Sequence, residues 1–155
     1  MPAVISIALV VHILSVVVWV GGMFFALVIL RPASGPLEAG PRLELWARVL
    51  GRFFSWVIGA IVLILVSGYV MVFSVFDGLA GLPLYVNVMM VLGIVMMLLF
   101  FHIYFAPFRR LRAAVARHDT AAAARQLGQI RWLVTAGLTL GLVTIAFAAG
   151  GPYWG

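Results

Sequence analysis

Four long apolar runs, separated by short polar segments, divide this chain. They cover residues 3–30, 53–76, 82–108 and 132–154. Each run exceeds the roughly 20 residues that an α-helix needs to cross a bilayer. The pattern therefore predicts an all-α integral membrane protein, a four-helix bundle in contact with the lipid bilayer. Because little chain remains between the runs, we expect residues 1–155 to form one transmembrane domain.

The ten basic residues are all arginines, and they lie in or beside only two of the polar segments. Arg31, Arg42, Arg48 and Arg52 lie between the first two runs, and the other six lie between the last two. Arginine-rich loops of membrane proteins face the cytoplasm. We therefore expect an N-out/C-out topology, which in a bacterium means the inner (cytoplasmic) membrane with both termini in the periplasm. This topology accounts for the net charge of +6 without a nucleic-acid partner.

Proline and turn residues predict the helix boundaries on the arginine-rich side. Pro107 predicts an end or a kink of the third helix. The basic, alanine-rich stretch beyond it favours a helical continuation and a turn near His118–Thr120, where Asp119 or the threonine after it is placed to cap the fourth helix. Between the first two runs we expect a cytoplasmic connection over residues 32–47 rather than a domain, with a short interfacial helix at Leu43–Trp46.

Several kinds of chemistry are excluded by composition. The chain has no cysteine, which removes disulfides and thiolate metal sites. No Ser-His-acid set is visible, and the carboxylates all fall outside the predicted spans: Glu38, Glu44, Asp77 and Asp119. Hydrolytic and acid–base catalysis therefore have little support. Whether the protein is an enzyme stays open, and any redox chemistry would belong to a cofactor.

Two histidines lie inside the apolar runs, where a titratable side chain is costly and is a functional candidate by default. On a helical wheel His12 shares a stripe with Trp19 and Met23, while His102 shares another stripe with Asn87. His12 lies about 13 Å into a helix that starts outside, and His102 about 30 Å into another. The resulting gap of about 15 Å argues against one haem ligated by both histidines of a single chain.

The first hypothesis is a b-type haem near the outer leaflet. His12 would be an axial ligand, Met90 or Asn87 would lie opposite, and Trp19 would wall the pocket. His102 would serve a second, separate site or a site shared between copies of the chain. The propionates of such an inner site would find their cationic partners among Arg48, Arg52 and Arg131.

Two further hypotheses remain open. Imidazole and thioether ligands suit copper, so His12, His102 and Met90 could belong to a copper site, although methionine is also a common filler of apolar cores. Alternatively, the protein is a non-catalytic small subunit whose histidines are satisfied by hydrogen bonds between helices. Under any of these hypotheses, the protein partner of this chain would be a redox protein or a second copy of the chain.

Short motifs resemble the copper resistance D (CopD) family of bacterial membrane proteins. The first helix carries His12, then Trp19, then Gly21-Gly22-Met23-Phe24-Phe25 and a closing Arg31-Pro32. Three further segments are similar to that family: Arg52-Phe53-Phe54, Ser67-Gly68-Tyr69 and His102-Ile103-Tyr104-Phe105-Ala106-Pro107. The resemblance implies a four-helix membrane module, and the larger members of the family are associated with copper uptake.

A related group, the HemJ-type protoporphyrinogen oxidases, is similar in its four-helix architecture. That resemblance implies a haem b ligand at His12. At the position of Asn87 those enzymes typically carry lysine, and this chain has no lysine. The missing lysine argues against protoporphyrinogen oxidase activity but does not argue against haem binding.

Overall fold

The computed structural model describes residues 2–76 and 78–153, and four long helices contain most of them. They are α1 (Ala3–Ala33), α2 (Ala39–Val75), α3 (Leu84–Ala116) and α4 (Thr120–Tyr153). Each helix is long and apolar enough to cross a membrane. The described residues include no β-strand. The predicted all-α, four-helix architecture is therefore confirmed.

The helices extend further than the apolar runs at the end of the bundle that holds the arginines, here called the arginine end. α2 begins at Ala39, inside the predicted connection, and Leu43–Trp46 is part of α2 rather than a separate short helix. Leu43, Trp46 and Leu50 are buried at helical spacing. Burial of these three side chains stabilises the helix before the apolar run begins at residue 53. An amphipathic helix is stabilised when its apolar face packs against its neighbours.

Two of the three helices that carry a proline near the arginine end contain a π-helical segment; the exception is α2, whose Pro41 lies in its first turn. In α1 this segment is Phe25–Leu30, just before Pro32, and in α3 it is Tyr104–Phe108, which includes Pro107. Of the two outcomes predicted for Pro107, an end or a kink, an end is wrong, since α3 continues to Ala116 through this π-helical segment. Single π-turns are a known way for a helix to change its hydrogen-bond register without ending.

The turn between α3 and α4 follows the sequence-based expectation. The Asp119 side chain accepts a hydrogen bond from the Ala122 backbone N–H at 2.9 Å and caps α4. His118 precedes it with φ of 55°, a left-handed conformation that reverses the chain tightly. Asp119 is therefore the N-cap, and His118 is an exposed turn residue.

The four helices pack as two antiparallel pairs, α1 with α2 and α3 with α4, and α4 also contacts α1 and α2. The tightest packing lies toward the arginine end, where the Phe54 ring meets those of Phe100 and Phe108 at centroid distances of 5.4 and 4.9 Å. At the opposite, arginine-free end, no side chain of α3 between Leu84 and Val95 is fully buried. The first half of α3 is consequently loosely packed against the rest of the bundle.

Candidate cofactor site

His12 lies on the face of α1 that packs against α2. Its ring is half-buried, and its Nδ1 atom lies 3.0 Å from the hydroxyl oxygen of Ser67, which is itself buried. Since α1 and α2 are antiparallel, the two residues lie at the same depth from the arginine-free end. The stripe with Trp19 and Met23 was predicted from the sequence and is indeed inward, because both of these side chains are buried.

The hydrogen bonds around Ser67 assign the proton of the imidazole. The Ser67 hydroxyl donates to the backbone carbonyl of Leu63, one turn earlier in α2. A hydroxyl has one hydrogen, so toward His12 its oxygen acts as an acceptor and Nδ1–H is the donor. The lone pair of the neutral ring then lies on Nε2, since Nδ1 is the ring atom hydrogen-bonded to Ser67. A neutral imidazole held in this tautomer is the form that ligates metals.

Gly68 allows the ring of His12 to lie close to α2. A Cβ atom at position 68 would come within 3.3 Å of His12 Cε1 and 3.6 Å of Nδ1. Ser67 and Gly68 therefore form a cradle in which one residue fixes the ring by a hydrogen bond and the next provides space. The sequence drew attention to Ser67-Gly68-Tyr69 only through a family resemblance. The sequence could have linked Ser67 and Gly68 to His12 by depth, because all three residues lie at a similar distance from the same end of two antiparallel helices.

Trp19 lies two turns from His12 toward the arginine end. Its ring is 5% exposed and packs edge-to-face on Phe100, with centroids 6.2 Å apart. It thus belongs to the aromatic core below the His12 cradle. A role as the wall of a cofactor pocket stays a prediction.

Asn87 and Met90 are both partly buried on α3. The Asn87 amide nitrogen donates to the backbone carbonyls of Leu82, at 3.0 Å, and Pro83, at 3.4 Å. This side chain therefore stabilises the start of α3, and its amide nitrogen is engaged there. The ligand role predicted for Asn87 or Met90 opposite His12 remains to be tested.

His102 faces away from the bundle. It is exposed, and so are Val91, Leu98 and Phe105 on the same stripe of α3. From Val91 to Phe105, the stripe that His102 shares with Asn87 therefore faces away from the other helices of the single chain. No group of three or more metal-ligating His, Asp or Glu side chains occurs among the described residues. His12 and His102 are therefore separate, and only the former is oriented by a neighbouring helix.

The arginines predicted to contact propionates do not form one group. Arg48 is exposed and pairs with Glu44 at 3.6 Å, and Arg52 is exposed as well. Arg131 instead lines a cavity of about 490 Å³ together with Arg31 and Arg42, which the sequence did not single out. The loop Ser34–Glu38 lies between these last two residues, and its short length brings them together.

The geometry defines a multi-pass, all-helical membrane protein with apolar outer faces and one histidine oriented within the bundle. The family model for copper resistance protein D (CopD) matches residues 47–150, about two thirds of the chain, and the chain belongs to this family. The matched region contains Ser67, Gly68 and His102, whereas His12 and Trp19 precede it. No curated protein and no solved structure matches the chain.

Proposed function

We propose that this CopD-family protein binds b-type haem in a bacterial inner membrane and transfers electrons, with Nε2 of His12 as an axial ligand. The observation that carries the proposal is the hydrogen bond between His12 Nδ1 and Ser67. Metal-ligating histidines almost always donate their other N–H to a neighbouring acceptor, which fixes the ring and raises its basicity. Ser67 supplies that acceptor here.

The residues around His12 suit an axial ligand in three respects. Nε2 is left with its lone pair, Gly68 lets the ring pack closely against α2, and the first half of α3 is loosely packed. A bound haem would supply one-electron redox chemistry. The chain itself would hold the Nδ1 proton at Ser67 and exclude water through the apolar faces of its helices. Met90 or Asn87 is the proposed residue on the opposite side, and Trp19 the proposed lower wall.

Electron transfer is preferred over protoporphyrinogen oxidation. Asn87 stands where that enzyme group has lysine, and its amide is engaged in hydrogen bonds to the start of its own helix. An asparagine cannot supply the positive charge of a lysine. We therefore assign no catalytic residue. In the proposed topology, both termini and the His12 end lie on the periplasmic side.

Spectroscopy of the detergent-purified full chain tests the haem proposal. A reduced α-band of b type is expected after dithionite, together with about one haem per chain. His12→Ala should remove the band. Ser67→Ala should weaken haem retention roughly 10- to 100-fold, which is the usual effect of losing the acceptor behind a ligating histidine.

Ser15→Ala is the matched control for Ser67→Ala. Ser15 is also buried, but its hydroxyl donates to the Val11 backbone carbonyl at 2.7 Å rather than contacting His12. It should keep the haem of the wild type. His102→Ala should also keep this band, since His102 faces outward. A colourless wild-type protein, expressed with ample haem, would contradict the proposal, as would an unchanged band in His12→Ala.

Copper handling is the second candidate, and the observation that favours it is the family match. The methionines lend it little support. Met23 and Met96 are buried against the small residues Gly137 and Gly141 of α4, where they fill space in the core. Metal analysis of the same preparation distinguishes the candidates, because stoichiometric copper without haem would favour this one. Absence of both would favour a non-catalytic membrane subunit, in which the His12–Ser67 hydrogen bond only joins two helices.

A further inference from the structure

A second polar site lies at the arginine end of the bundle. Arg31 at the end of α1, Arg42 in the first turns of α2 and Arg131 on α4 line the cavity of about 490 Å³. From His12 to Arg31 the helical rise gives a distance of about 28 Å along α1. A cofactor ligated by His12 therefore does not reach this cavity, and the two sites are independent.

Arg131 lies close enough to the other two guanidinium groups for their positive charges to act on it. Arg131, which is partly buried, experiences unfavourable interactions with the charges of both Arg31 and Arg42. Among residues 2–76 and 78–153, the only ion pair is the one between Arg48 and Glu44. No carboxylate of the described chain thus neutralises the cluster, and like charges near a low-dielectric region are costly unless an anion joins them.

Most guanidinium donors of the cluster make no hydrogen bond to the described part of the chain, residues 2–76 and 78–153. Arg42 donates one long hydrogen bond, 3.5 Å, to the Gly35 carbonyl, and Arg131 donates one of 3.4 Å to the Leu127 carbonyl. Each guanidinium has five N–H donors. The side chains are therefore only loosely held by the protein, and they keep enough donors to bind a ligand with several oxygens.

The wall of the cavity is held in place by buried hydrogen bonds. Trp46 Nε1 donates to Ser34 Oγ at 3.1 Å, and the Ser34 hydroxyl donates to the Arg31 carbonyl, also at 3.1 Å. Trp46 and Ser34 are each 3% exposed. These contacts fix the end of α1 against α2, so the backbone segments that carry Arg31 and Arg42 are positioned before any ligand binds.

We propose that this cavity binds a phosphate group. Guanidinium forks match the oxygens of phosphate, and three arginines at one site favour a ligand with several charged oxygens. Leu27 and Val28 add apolar walls on the membrane side. The phosphate can belong to the headgroup of an anionic phospholipid, with its chains along α1, or to soluble phosphate from the adjoining aqueous phase.

Direct binding measurements on the purified full chain test the proposal. In one arm, native mass spectrometry would count phosphatidylglycerol retained per chain, with phosphatidylcholine for comparison. In the other arm, calorimetry would measure binding of inorganic phosphate. We expect one anion per chain. Arg131→Gln and Arg31→Gln should each weaken binding about tenfold or more, the usual effect of losing a charged hydrogen bond.

Arg117→Gln is the matched control, since Arg117 is exposed at the same end of the bundle and does not line the cavity. It removes the same charge and should change affinity less than about twofold. Helicity measured by circular dichroism verifies the folding of each variant. If Arg131→Gln misfolds, Arg31→Gln still tests the proposal, because Arg31 is exposed. Selective phosphatidylglycerol binding identifies a lipid source, and saturable phosphate binding identifies a soluble one. Binding of neither probe, equal retention of phosphatidylcholine, or equal weakening by Arg117→Gln would overturn the proposal.

Discussion

Replacing Gly22 by alanine tests the close approach of α1 to α2. A Cβ atom at position 22 would come within 2.6 Å of Phe53 Cζ and closer still to Cε2 of the same ring. Ordinary contacts between carbon atoms are about 3.5–4.0 Å. The Phe53 ring or the helix itself would therefore have to move by more than about 1 Å to reach an ordinary contact, and overpacking of this kind costs about 1–3 kcal/mol.

Gly21→Ala is the internal control, because a Cβ atom at position 21 meets nothing within 4 Å. Both substitutions replace a helical glycine by alanine and share the gain in helix propensity of about 1 kcal/mol. The difference between the two variants therefore isolates the steric cost. We expect the free energy of unfolding of Gly22→Ala to lie about 1–3 kcal/mol below that of Gly21→Ala.

The assay is unfolding of the purified chain in mixed micelles by a titration with sodium dodecyl sulfate, followed by circular dichroism. Phe53→Leu combined with Gly22→Ala should recover part of the loss, since a smaller side chain makes room and the two sites are in contact. If Gly21→Ala and Gly22→Ala unfold within about 0.5 kcal/mol of each other, the close approach at Gly22 is refuted.

Two other predictions concern the turn and the topology. Asp119→Ala should reduce stability by about 1 kcal/mol in the same unfolding titration, because Ala122 loses its cap, whereas Asp119→Asn should retain most of the stability; equal losses would contradict a capping role. Alkaline phosphatase fused to the C-terminus should be active and a fusion after Arg117 inactive, because the arginine end is expected in the cytoplasm. The reverse pattern would invert the proposed orientation.

The fold class followed from the sequence because the bilayer requires backbone hydrogen bonds to be satisfied within each crossing segment. Four apolar runs of sufficient length consequently predict four helices without knowledge of their contacts. The helix ends were harder to predict. α2 begins at Ala39 because Leu43, Trp46 and Leu50 pack against other helices, and that gain depends on neighbours distant in sequence.

The candidate site was predicted only in part. His12 was singled out as a titratable residue in an apolar run, but its partner Ser67 lies 55 residues away on another helix. The contact depends on the antiparallel packing of α1 and α2. In the same way, Arg131 joins Arg31 and Arg42 only through the fold, which brings α4 beside the loop between α1 and α2.

His12 and His102 are alike in their sequence context but differ in their surroundings in the folded chain. Each is a histidine in a long apolar helix, and the sequence established that much together with their depths. In a soluble protein, polar positions mark the outer face of a helix, whereas lipid is as apolar as the interior of a membrane bundle. The pattern of polar and apolar residues therefore does not show whether a histidine in such a helix faces the bundle or the lipid. Only the packing of α1 on α2 placed His12 against Ser67, while α3 turns His102 away from its neighbours.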